Sequence, residues 1–334
     1  MSIRPQRARV LVVGCRRTPS VKHGTPPASS RCPLEVYVHY VHDVNPRDFP
    51  VSIGIMAGRN LLGAAATLAV AATLANAATV PLARAYAHND QEKPGTPLEA
   101  ALANGFCHIE PDINLQDGEI VIGHDCGPLD PPCNVTLRAA YLEPLAAAYV
   151  QNGGFVHPLA NKLKICQTVT LNLDVKTSAG STYEAIHDLL ATFDAAYPGF
   201  LTTFALDQVV SEGAVRVLIS GNRPSPEEIA AQERRYAALD GRILENLDEP
   251  WTHAVVGWLS QSWSSIFDST EVPFSNATCE HIQDIARTAH ARGQLIRFWA
   301  IPQEPDFWSE LIRCDCDIIN GDDYDLLTSY LLNA

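Results

Sequence analysis

Val169-Thr170-Leu171-Asn172-Leu173-Asp174-Val175-Lys176 reads as a β-strand, rich in β-branched and other apolar residues, with charge only towards its end. Side chains alternate along a strand, so Asp174 and Lys176 point to one face, towards the interior of whatever the strand builds. Residues 182–197 then read as an amphipathic helix with Ile186, Leu189, Leu190 and Phe193 on one side. A strand followed by a helix that packs back onto it is the repeating unit of parallel α/β folds.

The same alternation extends in both directions. Upstream, a short strand over 84–88 precedes a helix over 97–104 that Gly105 ends, and a second strand runs over 107–115. Asp117-Gly118 then turns the chain into a hairpin arm over 119–123, and a helix over 142–151 stops at Gly153-Gly154. Downstream, strands are expected over 214–219, 236–239, 254–259, 295–300 and 317–320. Helices over 226–235, 277–292, 306–313 and 324–332 separate most of them. Eight strands in an α/β chain of this size predict a (β/α)8 TIM barrel, which typically takes about 250 residues. The competing open, doubly wound sheet is disfavoured, because no Gly-x-Gly-x-x-Gly follows the first strand.

The N-terminal part reads differently. Residues 1–55 are rich in arginine and proline without a sustained period, and carry eight Lys/Arg against three Asp/Glu. Met56-Ala57-Gly58-Arg59-Asn60, the apolar run 61–74 and Ala75-Asn76-Ala77 have the n-region, h-region and cleavage pattern of a secretory signal peptide. Met1 and Met56 are the only methionines, so residues 1–55 are expected to be an extension or an upstream start, with 78–334 as the single mature domain. The run 61–74 is short for a transmembrane helix, which needs about 20 residues.

The mature part carries 15 Lys/Arg against 35 Asp/Glu. Such an excess of negative charge argues against nucleic-acid binding and against electrostatic attraction to anionic lipid, so membrane contact is expected only through a substrate. Its seven cysteines fit disulfides in an exported, extracellular protein better than metal ligation. Cys126 and Cys133 bracket a proline-rich loop and are expected to pair, and the odd total leaves at least one thiol over. Asn134-Val135-Thr136 and Asn276-Ala277-Thr278 match the glycosylation acceptor pattern of eukaryotic hosts.

Chemistry concentrates in Ala87-His88-Asn89-Asp90, His108-Ile109-Glu110-Pro111-Asp112 and Gly123-His124-Asp125. Glu110 and Asp112 are two apart on a strand and so face the same way, which is costly unless a cation or a proton neutralises them. With Asp174 they form a three-carboxylate oxygen set suited to one hard divalent cation, Mg²⁺ or Ca²⁺. His88 and His124 flank the set as acid–base candidates, since an imidazole titrates near about pH 6.5. His108 is taken as structural, and His157, His187, His253, His281 and His290 as loop or helix residues without partners. All the strand-borne candidates fall at carboxyl ends of strands, the face on which barrel enzymes place their chemistry. Asn222 and Arg223, Asp240-Gly241-Arg242, Ser260, Trp263, Trp299 and Asn320 follow later strands and are expected around the same mouth. An arginine there can pair with phosphate, and Trp299 can wall an apolar or choline-like group.

These residues carry a resemblance. His88-Asn89-Asp90, Pro97-Leu98-Glu99-Ala100-Ala101-Leu102, Ile109-Glu110-Pro111-Asp112, Gly123-His124, Tyr141-Leu142-Glu143-Pro144-Leu145 and Leu173-Asp174-Val175-Lys176-Thr177 are its first pieces. Ser220-Gly221-Asn222-Arg223-Pro224, Arg297-Phe298-Trp299-Ala300 and Ile319-Asn320-Gly321-Asp322-Asp323 complete it in order. The chain resembles the phospholipase-C-like phosphodiesterases, which include the glycerophosphodiester phosphodiesterases, and most of all the altered-inheritance-of-mitochondria protein 6 branch. The resemblance implies a TIM barrel with one divalent metal on Glu110, Asp112 and Asp174, His88 and His124 as acid and base, and Lys176 on the phosphate. With the signal peptide, it implies a secreted phosphoric diester hydrolase acting on glycerophosphodiesters or phospholipid headgroups. Asn-Asp after His88, Asp rather than Glu at position 174, and the cysteine-bracketed loop after His124 are also similar to sphingomyelinase-D-like phospholipases, which form a cyclic phosphate. A catalytically silent barrel that binds lipid or protein is the non-enzymatic alternative.

Overall fold

Leu82–Ala87 (β1) pairs in parallel with Phe106–Ile109 (β2), and β2 pairs with Val169–Val175 (β5). β5 carries on to Val215–Gly221 (β8), and from there the order is Ala237–Arg242 (β9), Val256–Ser262 (β10), Leu295–Trp299 (β11) and Ile318–Gly321 (β12). β12 returns to β1, which closes the ring. This is a (β/α)8 TIM barrel. The computed structural model describes residues 80–126 and 133–334. The extension and signal peptide read at 1–77 lie outside the described residues, and among these no helix is long and apolar enough to cross a membrane.

The expected strand over 107–115 is in fact two, because Glu110-Pro111 interrupts it. Up to Ile109 the chain follows β1, with the Glu110 N–H on the Ala87 carbonyl at 2.9 Å. Proline has no N–H to continue the ladder. From Asp112 the strand resumes as Asp112–Gln116 (β3), which keeps β5 as a neighbour in the register Asp112↔Asp174 but exchanges β1 for Glu119–Ile122 (β4) across the Asp117-Gly118 turn. The two metal-ligand candidates of one sequence motif thus straddle a seam in the barrel wall.

Alternate residues of the strands divide between two cores. Tyr86, Leu218, Ala238, Trp258 and Ile318 cluster within the barrel, and Val217, Ile219, Leu239, Leu259 and Ile319 pack with the outer layer. The helix over 182–197 begins earlier, at Ala179, and presents Ile186, Leu190 and Phe193 to that layer.

Several expectations are corrected. The helix over 226–235 ends at Ala230, and the fully buried Arg235 instead pairs through its backbone with Phe204 while its guanidinium lies over the Phe204 ring. A small hairpin, Thr203–Ala205 (β6) and Gln208–Ser211 (β7), precedes β8. Histidines taken as partnerless are held: His157 donates to the Phe106 carbonyl at 2.9 Å, His187 lies 3.3 Å from that of Arg234, and His290 pairs with Asp317 at 2.8 Å. Trp263 is not at the mouth but 1% exposed in the outer aromatic core with Phe274, Phe298 and Phe307.

The expected Cys126–Cys133 bridge forms, and Cys107–Cys166 and Cys279–Cys314 join it. Cys316 is the leftover thiol of the seven, buried so that its pKa is pushed up to about 12.

Candidate active site

Glu110, Asp112 and Asp174 each offer a carboxylate oxygen within 4.8 Å of the other two. Strand pairing makes this so, because Asp112 and Asp174 are register partners on adjacent strands. Gly221 makes room for them: a Cβ there would lie 2.1 Å from Asp174 Oδ1. Burial pushes the Glu110 carboxyl up to about 7, and burial also raises that of Asp112, which Lys176 partly counters. Asp174 Oδ1 is buried with no hydrogen-bond donor. Three converging acids, two of them fully within the protein, with an orphaned oxygen among them, are an oxygen donor set that fits a divalent cation.

Lys176 stands where the period-two reading places it. Its ammonium is 2.8 Å from Asp112 and 2.9 Å from Asp174. Burial alone would lower its pKa, but the two acids raise it, so it is a firm positive charge at the edge of the cluster.

His88 leaves β1 just before Asn89, whose φ of 48° is a left-handed conformation that asparagine tolerates. Asp90 anchors this turn from inside, accepting from the Leu98 N–H at 2.6 Å and the Tyr141 hydroxyl at 2.8 Å. The His88 Nδ1 is 2.6 Å from Asp322, and its Nε2 is 3.9 Å from Glu110. Burial lowers the His88 pKa, but Asp322 and the charge of Glu110 outweigh it and the net shift is upward. Asp322 received no role from the sequence, although its motif was among the matching pieces. Gln91 was also missed: its amide donates to Asp112 Oδ2 at 2.8 Å and accepts from the Asp112 N–H at 3.1 Å. It fills the seam as a substitute strand neighbour.

His124 is on the loop after β4, which Asn114 and Gln116 tie down through the carbonyls of Gly123 and Cys126, both at 2.6 Å. The imidazole is half exposed and 3.1 Å from Asp125. Gly123 beside it packs on the Cys126–Cys133 bridge, where a Cβ would lie 2.6 Å and 2.8 Å from the sulfurs.

The remaining candidates separate. Asn222 and Arg223 are at the mouth, beside Lys176: the Asn222 amide donates to the Lys176 carbonyl at 3.2 Å, and Arg223 pairs with Glu245 at 2.9 Å. Trp299 ends β11 half-buried. Asn320 ends β12 on the interior side of the strand ends. It is 2% exposed and accepts from Arg297 at 2.7 Å, below the mouth. Asp240 and Ser260 are likewise interior. Burial pushes Asp240 up, yet Arg242 and Arg297 hold it below the usual carboxylate range, and Ser220 and Ser260 donate to it. Arg297 in turn lies 3.9 Å over the Tyr86 ring. This polar floor supports the acid cluster from within the barrel.

Residues 75–240 match the family model of the AIM6-like phosphodiesterase domain. No curated protein matches the chain.

Proposed function

We propose, on the premise that residues 75–240 are an AIM6-like phosphodiesterase domain of the PLC-like phosphodiesterases, that this protein is an exported, metal-dependent hydrolase of glycerophosphodiesters or phospholipid headgroups. The observation that carries the reading is the convergence of Glu110, Asp112 and Asp174 within 4.8 Å, with Lys176 on one side and the Asp322-anchored His88 on the other.

Glu110, Asp112 and Asp174 would hold one divalent cation, Mg²⁺ or Ca²⁺. When bound, the cation supplies positive charge to a phosphate oxygen as negative charge builds there. Lys176 adds a second positive charge at the same edge and orients the diester. One of His88 and His124 takes the proton of the attacking hydroxyl, and the other gives one to the departing alcohol oxygen. Asp322 fixes the His88 ring by accepting at Nδ1, which leaves Nε2 turned towards the acids. Three disulfides support an oxidising, extracellular setting.

A panel of phosphodiesters assayed with Mg²⁺ and with Ca²⁺ tests the proposal. Turnover that EDTA abolishes and added cation restores is the expected result. Activity unaffected by EDTA would defeat the metal assignment, and no turnover of any diester would defeat the enzymatic one. The bridged loop after His124, similar to that of sphingomyelinase-D-like phospholipases, supports a second reading in which a neighbouring substrate hydroxyl attacks and a cyclic phosphate forms. Phosphorus NMR of the product separates the two.

A further inference from the structure

Each acid of the cluster has one oxygen engaged and one left over. Asp112 Oδ2 accepts from the Gln91 amide at 2.8 Å, Asp174 Oδ2 from the Lys176 ammonium at 2.9 Å, and Glu110 Oε2 from the Asn89 N–H at 3.3 Å. Asp112 Oδ1 and Asp174 Oδ1 are buried and accept no directed hydrogen bond, although the Lys176 ammonium stands 2.8 Å from the first. Buried carboxylate oxygens without donors are costly, so these two mark where positive charge is wanted.

Gln91 holds its acid more completely than the other two donors hold theirs. Its amide donates to Asp112 Oδ2, and its carbonyl accepts from the Asp112 N–H at 3.1 Å, so one side chain fixes both the backbone and the carboxylate. Gln91 is itself held firmly, in the short turn Asp90–Glu92. The buried Asp90 secures that turn from below, taking the Leu98 N–H at 2.6 Å and the Tyr141 hydroxyl at 2.8 Å. Turning both Asp112 oxygens towards one point would therefore break the Gln91 bond.

The number of oxygens that an acid can give discriminates between cations. Mg²⁺ demands about six ligands in near-octahedral order and keeps water among them, whereas Ca²⁺ takes about six to eight and readily grips both oxygens of one carboxylate. We propose that Gln91 is a specificity-determining positioning residue: by occupying Asp112 Oδ2 it confines Asp112 to a single oxygen, and so favours a small octahedral cation over Ca²⁺. The inference rests on the metal-dependent reading and goes beyond it to the choice of cation.

The test needs no turnover. Binding of Mg²⁺ alone and of Ca²⁺ alone is measured by calorimetry on the intact protein, on Gln91→Met and on Gln91→Glu. Methionine keeps the length of the side chain without either bond. Glutamate keeps an acceptor for the Asp112 N–H but places no amide donor on Oδ2. The unaltered protein is expected to bind Mg²⁺ at least as tightly as Ca²⁺. In both variants the ratio of the two affinities should move towards Ca²⁺ by about tenfold or more, the usual scale on which the hydrogen-bond partner of a metal ligand acts. Circular dichroism checks the fold, and Gln91→Glu decides the matter if Gln91→Met does not fold. A merely structural role would weaken both cations alike, so an equal loss or an unchanged ratio overturns the proposal. Tighter Ca²⁺ in the unaltered protein overturns it as well. If neither cation binds the unaltered protein, the metal-dependent reading itself fails, whereas binding with an unchanged ratio defeats only the role of Gln91.

Discussion

His88 Nδ1 and Asp322 Oδ1 are 2.6 Å apart, although 234 positions separate them in the chain. Strand pairing explains this: β1 and β12 are neighbours where the barrel closes, so the segments leaving them meet. Asp322→Asn should keep the fold but lower kcat by about 100-fold or more, within the usual contribution of a positioned acid or base. KM should change little. A kcat within a factor of two of the unaltered protein would show that His88 needs no such anchor.

Metal binding should be visible without turnover. A cation that binds only the folded state stabilises it by about 2.7 kcal/mol at a concentration one hundred times its Kd. Mg²⁺ or Ca²⁺ should therefore raise the Tm, and Asp174→Asn, which removes a charge at the cluster, should remove most of that rise.

Gly221→Ala tests the packing behind Asp174. The new methyl would enter at 2.1 Å from Asp174 Oδ1 and 2.5 Å from the Val175 carbonyl, on a residue with φ 62°. The left-handed conformation alone costs an ordinary residue about 1–2 kcal/mol. Lower stability in urea and at least tenfold weaker cation binding are expected together. Unchanged cation affinity would show that Asp174 can shift without consequence.

Asp240→Ala should be severely destabilising, by about 3–5 kcal/mol, since it leaves Arg297 buried without its counter-charge. Chemical denaturation measures this. A loss below about 1 kcal/mol would mean that water or another side chain replaces the carboxylate.

His157 gives a pH-dependent element outside the acid cluster. Burial lowers its pKa from 6.5, only partly offset by its bond to the Phe106 carbonyl. The folded state then binds fewer protons than the unfolded chain below pH 6.5, so stability falls as the pH drops through that value. Urea midpoints between pH 7 and 5 should fall less steeply in His157→Gln than in the unaltered protein.

The strand-borne part of the site was legible because a period of two needs no tertiary knowledge. Asp174 and Lys176 declare a shared face from spacing alone, whereas Glu110 and Asp112 converge although the Glu110-Pro111 break interrupts the strand that the spacing assumed. The eight-strand count was legible for a similar reason, as each strand is a short buried run. What escaped depends on contacts distant in sequence. Asp322 gains its role from β12 meeting β1, and Gln91 from a gap that only the Pro111 break creates. Arg235 looks like the end of a charged helix, yet aromatic stacking and the Ala254 carbonyl pull it inside. Arg297 reaches both Asp240 and the Oδ1 of Asn320 from the interior, a partnership that spacing does not reveal.

The seam at Glu110-Pro111 also divides control of the ligands. Glu110 takes its backbone bonds from Ala87 and Asp90, on the β1 side, whereas Pro111 and Asp112 are fastened to Asp174 on the β5 side. Substitutions in β1 should therefore act first on Glu110, while those in β5, or at Gln91 with its two bonds to Asp112, should act first on the other two. Pairs of changes taken from opposite sides should combine additively, and pairs from the same side should not.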